Sequence, residues 1–253
     1  MMIPPRFFCP EPLSVGASVM LPEGAARHAA RVLRLGVDAE VTLFDGKGGE
    51  YEARIASVRK DAVEADVVAW KDVERESPLR VTLVQALQAG DKMDLTVQKA
   101  VELGVAEIQP VASRRSVLRL DGERAVRRVE HWRGVAASAC EQCGRNRVPG
   151  VAEVLPLLQW LSTLPAAGDS SMQRLMLVPG AECALTMLPP ASNAILLIGA
   201  EGGLDPQEEA AAAAAGFRPV RMGPRVLRTE TAGLAALSAM QALWGDFKGD
   251  KHV

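Results

Sequence analysis

The sequence predicts an α/β protein with a mainly parallel sheet, preceded by a small β-rich domain. Three observations predict it. From Leu79 onward, short apolar β-branched runs alternate with helix-length segments, the rhythm of successive βα units. Before residue 71 the apolar runs are short, alternate in polarity and are separated by glycine turns, as in a small barrel. Residues 71–78 between them are charged and end in proline, which places a boundary there and gives domains at 1–73 and 74–253. A chain of 253 residues, 48% of them apolar, has enough material for two cores and is too apolar to be disordered.

In the first domain, residues 27–35 read as a short helix whose Arg27, Arg31 and Arg34 share one face. Residues 40–45 and 50–58 read as strands joined by the turn Gly46-Lys47-Gly48-Gly49, and 62–70 as a third strand. In the second domain, 79–87 is an apolar strand. Residues 91–103 form a helix with Met93, Val97, Ala100 and Val101 on its apolar side, ended by Gly104. A strand at 106–111, a long helix with a basic face at 122–143 and a helix at 155–164 follow. Residues 174–178 and 194–198 are buried strands. Asp205, Pro206 and Glu208 form a capping-box start to an alanine-rich helix that Gly216 ends. A last strand at 218–222 and a last helix at 230–244 complete the chain.

Composition narrows the function classes. The net charge of −2 argues against a uniformly basic nucleic-acid binder, yet arginines cluster at 114–133, with Arg145 and Arg147 beyond. Such local faces bind phosphate or simply meet solvent, and charge alone does not separate the two. Cys140 and Cys143 form a lone C-x-x-C without a second pair, and His28, His131 and His252 are dispersed, so no metal is expected. No apolar run has transmembrane length, and the N-terminus lacks a signal-peptide core. A cytoplasmic protein with free thiols and no membrane partner is expected.

No Walker A pattern, Rossmann fingerprint or nucleophile elbow is present. The candidate site lies near the C-terminus. Gly199-Ala200-Glu201-Gly202-Gly203 sits between a strand and a capped helix, where the loops of a parallel sheet line a ligand crevice. A tight turn needs glycine too, but three glycines around a glutamate exceed that need. Met222-Gly223-Pro224-Arg225-Val226-Leu227-Arg228-Thr229-Glu230 repeats the layout and enters a helix of small residues suited to close packing. By themselves, Arg228 and Glu230 are also compatible with a local ion pair at a helix start.

At these two loops the chain resembles the C-terminal signature of the SPOUT-class RNA methyltransferases, and within them the bacterial 16S ribosomal RNA (uracil-N3) methyltransferases of the RsmE type. Residues 2–8 with Arg6-Phe7-Phe8, Gly90-Asp91-Lys92-Met93-Asp94 running into 98–105, and 141–149 resemble other parts of that family in the right order. Ala200 and Val101 depart from the proline and threonine common there. The resemblance implies a trefoil-knotted SPOUT domain, a PUA-like N-terminal barrel that holds RNA, S-adenosylmethionine as cofactor and a homodimer. Its implied cofactor residues are Val178, Pro179, Gly180, Ile198, Gly199, Glu201, Gly202, Gly203, Met222, Gly223, Val226 and Leu227. Arg228 and Glu230 are the catalytic candidates, and Arg6, Arg31, Arg34, Arg145 and Arg147 the candidates for RNA phosphates. The expected substrate is a uridine of 16S rRNA within the small ribosomal subunit. Rival readings are ribose 2′-O methylation of rRNA or tRNA, a non-catalytic RNA-binding assembly factor, and a small-molecule enzyme.

Overall fold

The computed structural model describes residues 4–60, 62–166 and 172–247. Its contacts divide the chain into two units. The first contains residues 1–76 together with 137–148, and the second 77–136 and 149–253.

In the first unit the elements are β1 (Arg6–Phe8), β2 (Ser18–Met20), α1 (Glu23–Arg27), β3 (Glu40–Phe44), β4 (Glu50–Arg59) and β5 (Ala62–Lys71). They build a five-stranded sheet of order β1-β3-β4-β5-β2, antiparallel except for β1 against β3. The predicted glycine turn joins β3 to β4, with Gly46, Gly48 and Gly49 all at positive φ. Register shifts at Glu52/Ala53 and Ile55/Ser57 bend the long β4–β5 ribbon. Alternate residues Val63, Ala65 and Val67 then join Phe7, Leu43 and Ile55 in one core.

The helix expected over 27–35 is shorter and irregular. α1 ends at Arg27, a π turn covers His28–Val32, and Arg34 is left-handed at φ 53°. Arg34 therefore does not continue the helical face of Arg27 and Arg31.

The second unit contains β6 (Arg80–Ala86), α2 (Lys92–Glu102), β7 (Glu107–Ala112), most of α3 (Gly122–Cys143), β8 (Gly150–Val151), β9 (Leu155–Pro156), α4 (Leu157–Thr163), β10 (Met172–Leu177), β11 (Asn193–Ile198), α5 (Pro206–Ala214), β12 (Arg218–Val220) and α6 (Thr229–Trp244). The sheet runs β12-β10-β11-β6-β7-β8, with β9 also on β7, and every pairing is parallel. Both faces are covered, which is why these strands read as unbroken apolar runs. Val84, Ala86, Ile195 and Leu197 face α4 and α5 in one cluster with Trp160 and Phe217. The alternate residues Leu83, Gln85 and Ile198 lie against Gly233 of α6. No helix among the described residues is long and apolar enough to cross a membrane.

Candidate active site

Two loops on the second unit's sheet form the site. β11 delivers the first. A side chain at Gly199 is excluded because its Cβ would lie 2.9 Å from the Gly203 carbonyl carbon and 3.0 Å from the Leu204 nitrogen. The loop folds back on itself through Gly203 N–H donating to the Ala200 carbonyl at 2.8 Å, with Gly203 at φ 74°. Arg115 donates to the Gly202 carbonyl at 2.7 Å and braces the loop from outside. The capping box then starts α5. The Asp205 side chain accepts from Gln207 N–H, and buried Glu208 accepts from the N–H groups of Asp205 and Arg114.

The second loop leaves β12 at the sheet edge, next to β10, and re-enters the sheet's middle. Thr229, the first residue of α6, donates its hydroxyl to the Gly199 carbonyl at 2.6 Å and accepts from Gln85 Nε2 at 3.1 Å. Residues 221–228 therefore cross from the edge to β11 and β6. Arg221 ties their start to the loop after β10 by donating to the Ala181 carbonyl at 2.6 Å.

Between the loops is a cavity of about 730 Å³. Its wall brings together Val178, Pro179, Ile198, Gly199, Glu201, Gly202, Gly203, Met222, Gly223, Val226, Leu227, Arg228 and Glu230. Gly180 is not on that wall. It turns the chain after β10 at φ 81°, one residue beyond the part that lines the cavity. The wall also has charged members that the sequence reading did not single out as site residues: Arg115, Glu209, Arg221 and Arg225.

Arg228 is an exposed N-cap residue whose guanidinium has no hydrogen bond or ion pair among the described residues. Glu230 is not its ion-pair partner. One Glu230 oxygen, Oε1, lies 3.5 Å from Lys92 Nζ, which is also 3.5 Å from Glu201 Oε1. The other, Oε2, is buried with no hydrogen-bond partner. The Gln88 amide is satisfied when its oxygen accepts from Glu230 N–H at 3.1 Å and its nitrogen donates to Lys92 O and Thr96 Oγ1. Lys92, Gln85 and Gln88 are distant in sequence from both loops, and no local spacing marks them.

The five arginines assigned to phosphate belong to the first unit and divide into two groups. Arg6 and Arg145 are corrected. Arg6 donates to Glu50 at 2.7 Å and to Asn146 Oδ1 at 2.5 Å, and lies over the Phe44 ring. Arg145, 4% exposed, grips Glu76 with two nitrogens. Buried guanidiniums committed to carboxylates hold the fold and are not presented to a phosphate. Arg31 and Arg34 are exposed, and Arg147 is half-exposed beside Glu74.

An RNA methyltransferase domain model matches residues 75–241, and an RNA methyltransferase PUA domain model matches 21–68. The chain is 32% identical to the ribosomal RNA small subunit methyltransferase E of Bacillus subtilis over 231 residues, 88% of this chain and 90% of that one. A crystal structure of that enzyme from Neisseria gonorrhoeae bound to S-adenosyl methionine is 43% identical with TM-score 0.88, covering 97% of this chain and all of the other. A putative methyltransferase of Legionella pneumophila with bound SAM superposes at TM-score 0.92 and 34% identity, with the same coverage.

Proposed function

The chain belongs to the RNA methyltransferase family, and from that premise we propose that it transfers a methyl group from S-adenosylmethionine to N3 of one uridine in 16S rRNA. The observation that carries the reading is the wall shared by the two glycine loops, where an unpaired guanidinium, Arg228, and a carboxylate, Glu230, line one cavity. The knot of the SPOUT fold belongs where residues 221–228 cross the sheet.

The residues present fit the cofactor. Gly199, Gly202 and Gly203 expose backbone along one wall, and Val178, Ile198 and Leu227 give apolar surface for a purine. Glu201 offers a negative charge to a cationic ligand. When bound, S-adenosylmethionine supplies an electrophilic methyl group. The protein's task is then to free the N3 lone pair. The Glu230 carboxylate accepts the N3 proton, and Arg228 donates to a uracil oxygen as negative charge develops there. N3 lies on the pairing edge, so the base is taken unpaired or flipped.

Arg31, Arg34 and Arg147 remain the phosphate-contact candidates, on a first unit of residues 1–76 and 137–148 that holds RNA while the second unit does the chemistry. The protein acts as a homodimer in the cytoplasm, on rRNA assembled in the small subunit.

The test is incubation with labelled S-adenosylmethionine and small subunits that lack the modification, followed by nucleoside analysis. Labelled 3-methyluridine is expected. A 2′-O-methyl product, or no transfer to any RNA, overturns the reading. Arg228→Ala abolishes transfer with a modest loss of cofactor affinity, and Glu230→Gln lowers kcat by roughly 10²–10⁴-fold.

A further inference from the structure

We propose that Lys92 is a positioning residue that ties the glycine loop to Glu230 and holds the Glu230 carboxylate in place to receive the uracil proton. The inference rests on the methyl-transfer reading above.

The backbone around Glu230 is already pinned. Its N–H is held by Gln88, and the preceding Thr229 is anchored on Gly199 O and Gln85. What the backbone does not set is the rotation of the carboxylate. That terminal torsion is broad. Lys92 narrows it, because its ammonium faces one oxygen of the carboxylate at 3.5 Å.

The same ammonium faces Glu201 on the other loop at the same 3.5 Å. An ammonium has three donors and no acceptor function, so one Lys92 serves both carboxylates. Without it, two like charges from different elements would face each other across the site. Both contacts are longer than a strong N–H···O bond, which leaves each carboxylate acceptor capacity for a ligand. The remaining groups at Glu230 do not duplicate this role. Gln85 and Gln88 are neutral, and the Arg228 guanidinium makes no ion pair with Glu230 among the described residues.

The experiment compares wild type, Lys92→Met and Lys92→Arg with small subunits as substrate, alongside hydrogen exchange of peptide 199–204 in the free protein. With Lys92→Met, kcat falls roughly a hundredfold while KM for the subunit changes little, as expected for a misaligned reacting group. Lys92→Arg recovers most of the loss, because a guanidinium also spans two carboxylates. In the free protein, the 199–204 amides exchange faster in Lys92→Met and return towards wild type in Lys92→Arg.

A kcat within about twofold of wild type in Lys92→Met, equal defects in both variants, or unchanged exchange overturns the proposal. If Lys92→Met does not fold, Glu201→Gln, which cuts only the loop arm, decides by its exchange: faster supports the tether, unchanged overturns it. A wild-type protein that makes no 3-methyluridine overturns the functional reading instead, and the exchange measurement, made without RNA or cofactor, still decides the tether.

Discussion

Two glycines on the same cavity wall are glycine for different reasons, and their substitutions separate. Gly199 has no room: an added Cβ meets backbone atoms at 2.9 and 3.0 Å, and backbone cannot rotate away as a side-chain tip can. Gly199→Ala therefore displaces the loop, and cofactor affinity falls by about tenfold or more in calorimetry, as a pre-formed site is lost. Gly223 has nothing within 4 Å of an added Cβ but stands at φ 86°. Gly223→Ala costs only the left-handed backbone preference, about 1–2 kcal/mol, and shows as a lower Tm with the affinity nearly kept. Two half-buried carboxylates of the first unit give opposite pH dependences. Burial pushes Glu141 above the usual carboxylate range, against the Phe8 N–H bond and the charges of His28 and Arg6. A raised folded-state value means that its contribution is complete below the unfolded pKa and is lost as pH rises through the folded one. Glu141→Gln keeps an acceptor for Phe8 N–H, so it raises Tm near pH 8, and the gain vanishes in acid. Burial also opposes ionisation of Glu50, but the hydrogen bonds and charges of Arg75 and Arg6 outweigh it and hold its carboxyl low. Its contribution is present above the unfolded pKa and is lost as pH falls through the folded value. Glu50→Gln thus lowers Tm at neutral pH and loses its effect in acid. Parallel pH profiles for the two variants in calorimetry would refute this assignment.

Helix α5 shows how an element becomes legible. Asp205, Pro206 and Glu208 stand in sequence as a capping box, and the structure closes both of its bonds. Asp205 also pairs with Arg114, and Glu208 accepts from Arg114 N–H, so the cap holds the chain beyond β7 as well. Asp205→Ala removes about 1 kcal/mol, read as a fall of about 2–4 °C in Tm. No change would mean that Glu208 carries the helix start alone. Signals of this kind are local. Alternation marked β5, apolar runs marked β6, β10 and β11, and glycine placement marked the cavity's loops. What escaped was non-local. β1 and β2 are three residues each, too short for a period, and exist because β3 and β5 offer edges. The turn after α1 is a π turn, with Leu33 N–H donating to the His28 carbonyl, and no local spacing announces it. In the site, Glu201 and Glu230 were visible beside their glycines. Lys92 was not visible as a site residue, since its role arises only where α2 meets loops from the far end of the chain. Arg6 and Arg145 were misread because their carboxylate partners, Glu50 and Glu76, are set by tertiary contact and not by spacing.

At the scale of the whole chain, the first unit is assembled from two separated stretches, and this has a folding consequence. Residues 1–76 contain every strand of its sheet, yet several part-buried polar groups among them bond to 137–148. Phe8 N–H donates to Glu141 at 2.9 Å. Asn146, fully buried, accepts from Arg6 and donates to the Val73 carbonyl at 2.6 Å. Glu76 is held by Arg145, and Glu74 by Arg147. Each buried donor or acceptor left unmade costs about 1–3 kcal/mol. A unit of this size has little surplus, since small domains bury a low fraction of their surface. A fragment of residues 1–76 is therefore expected to lack a cooperative thermal transition and to give poorly dispersed amide resonances. The same fragment joined through a flexible linker to 137–148 regains both. If 1–76 melts cooperatively at the temperature of the joined form, the second stretch is dispensable and the argument fails. If the argument holds, the barrel that is to carry RNA cannot complete during synthesis until residue 148 has emerged, by which time β6, α2, β7 and α3 of the second unit are also available to fold.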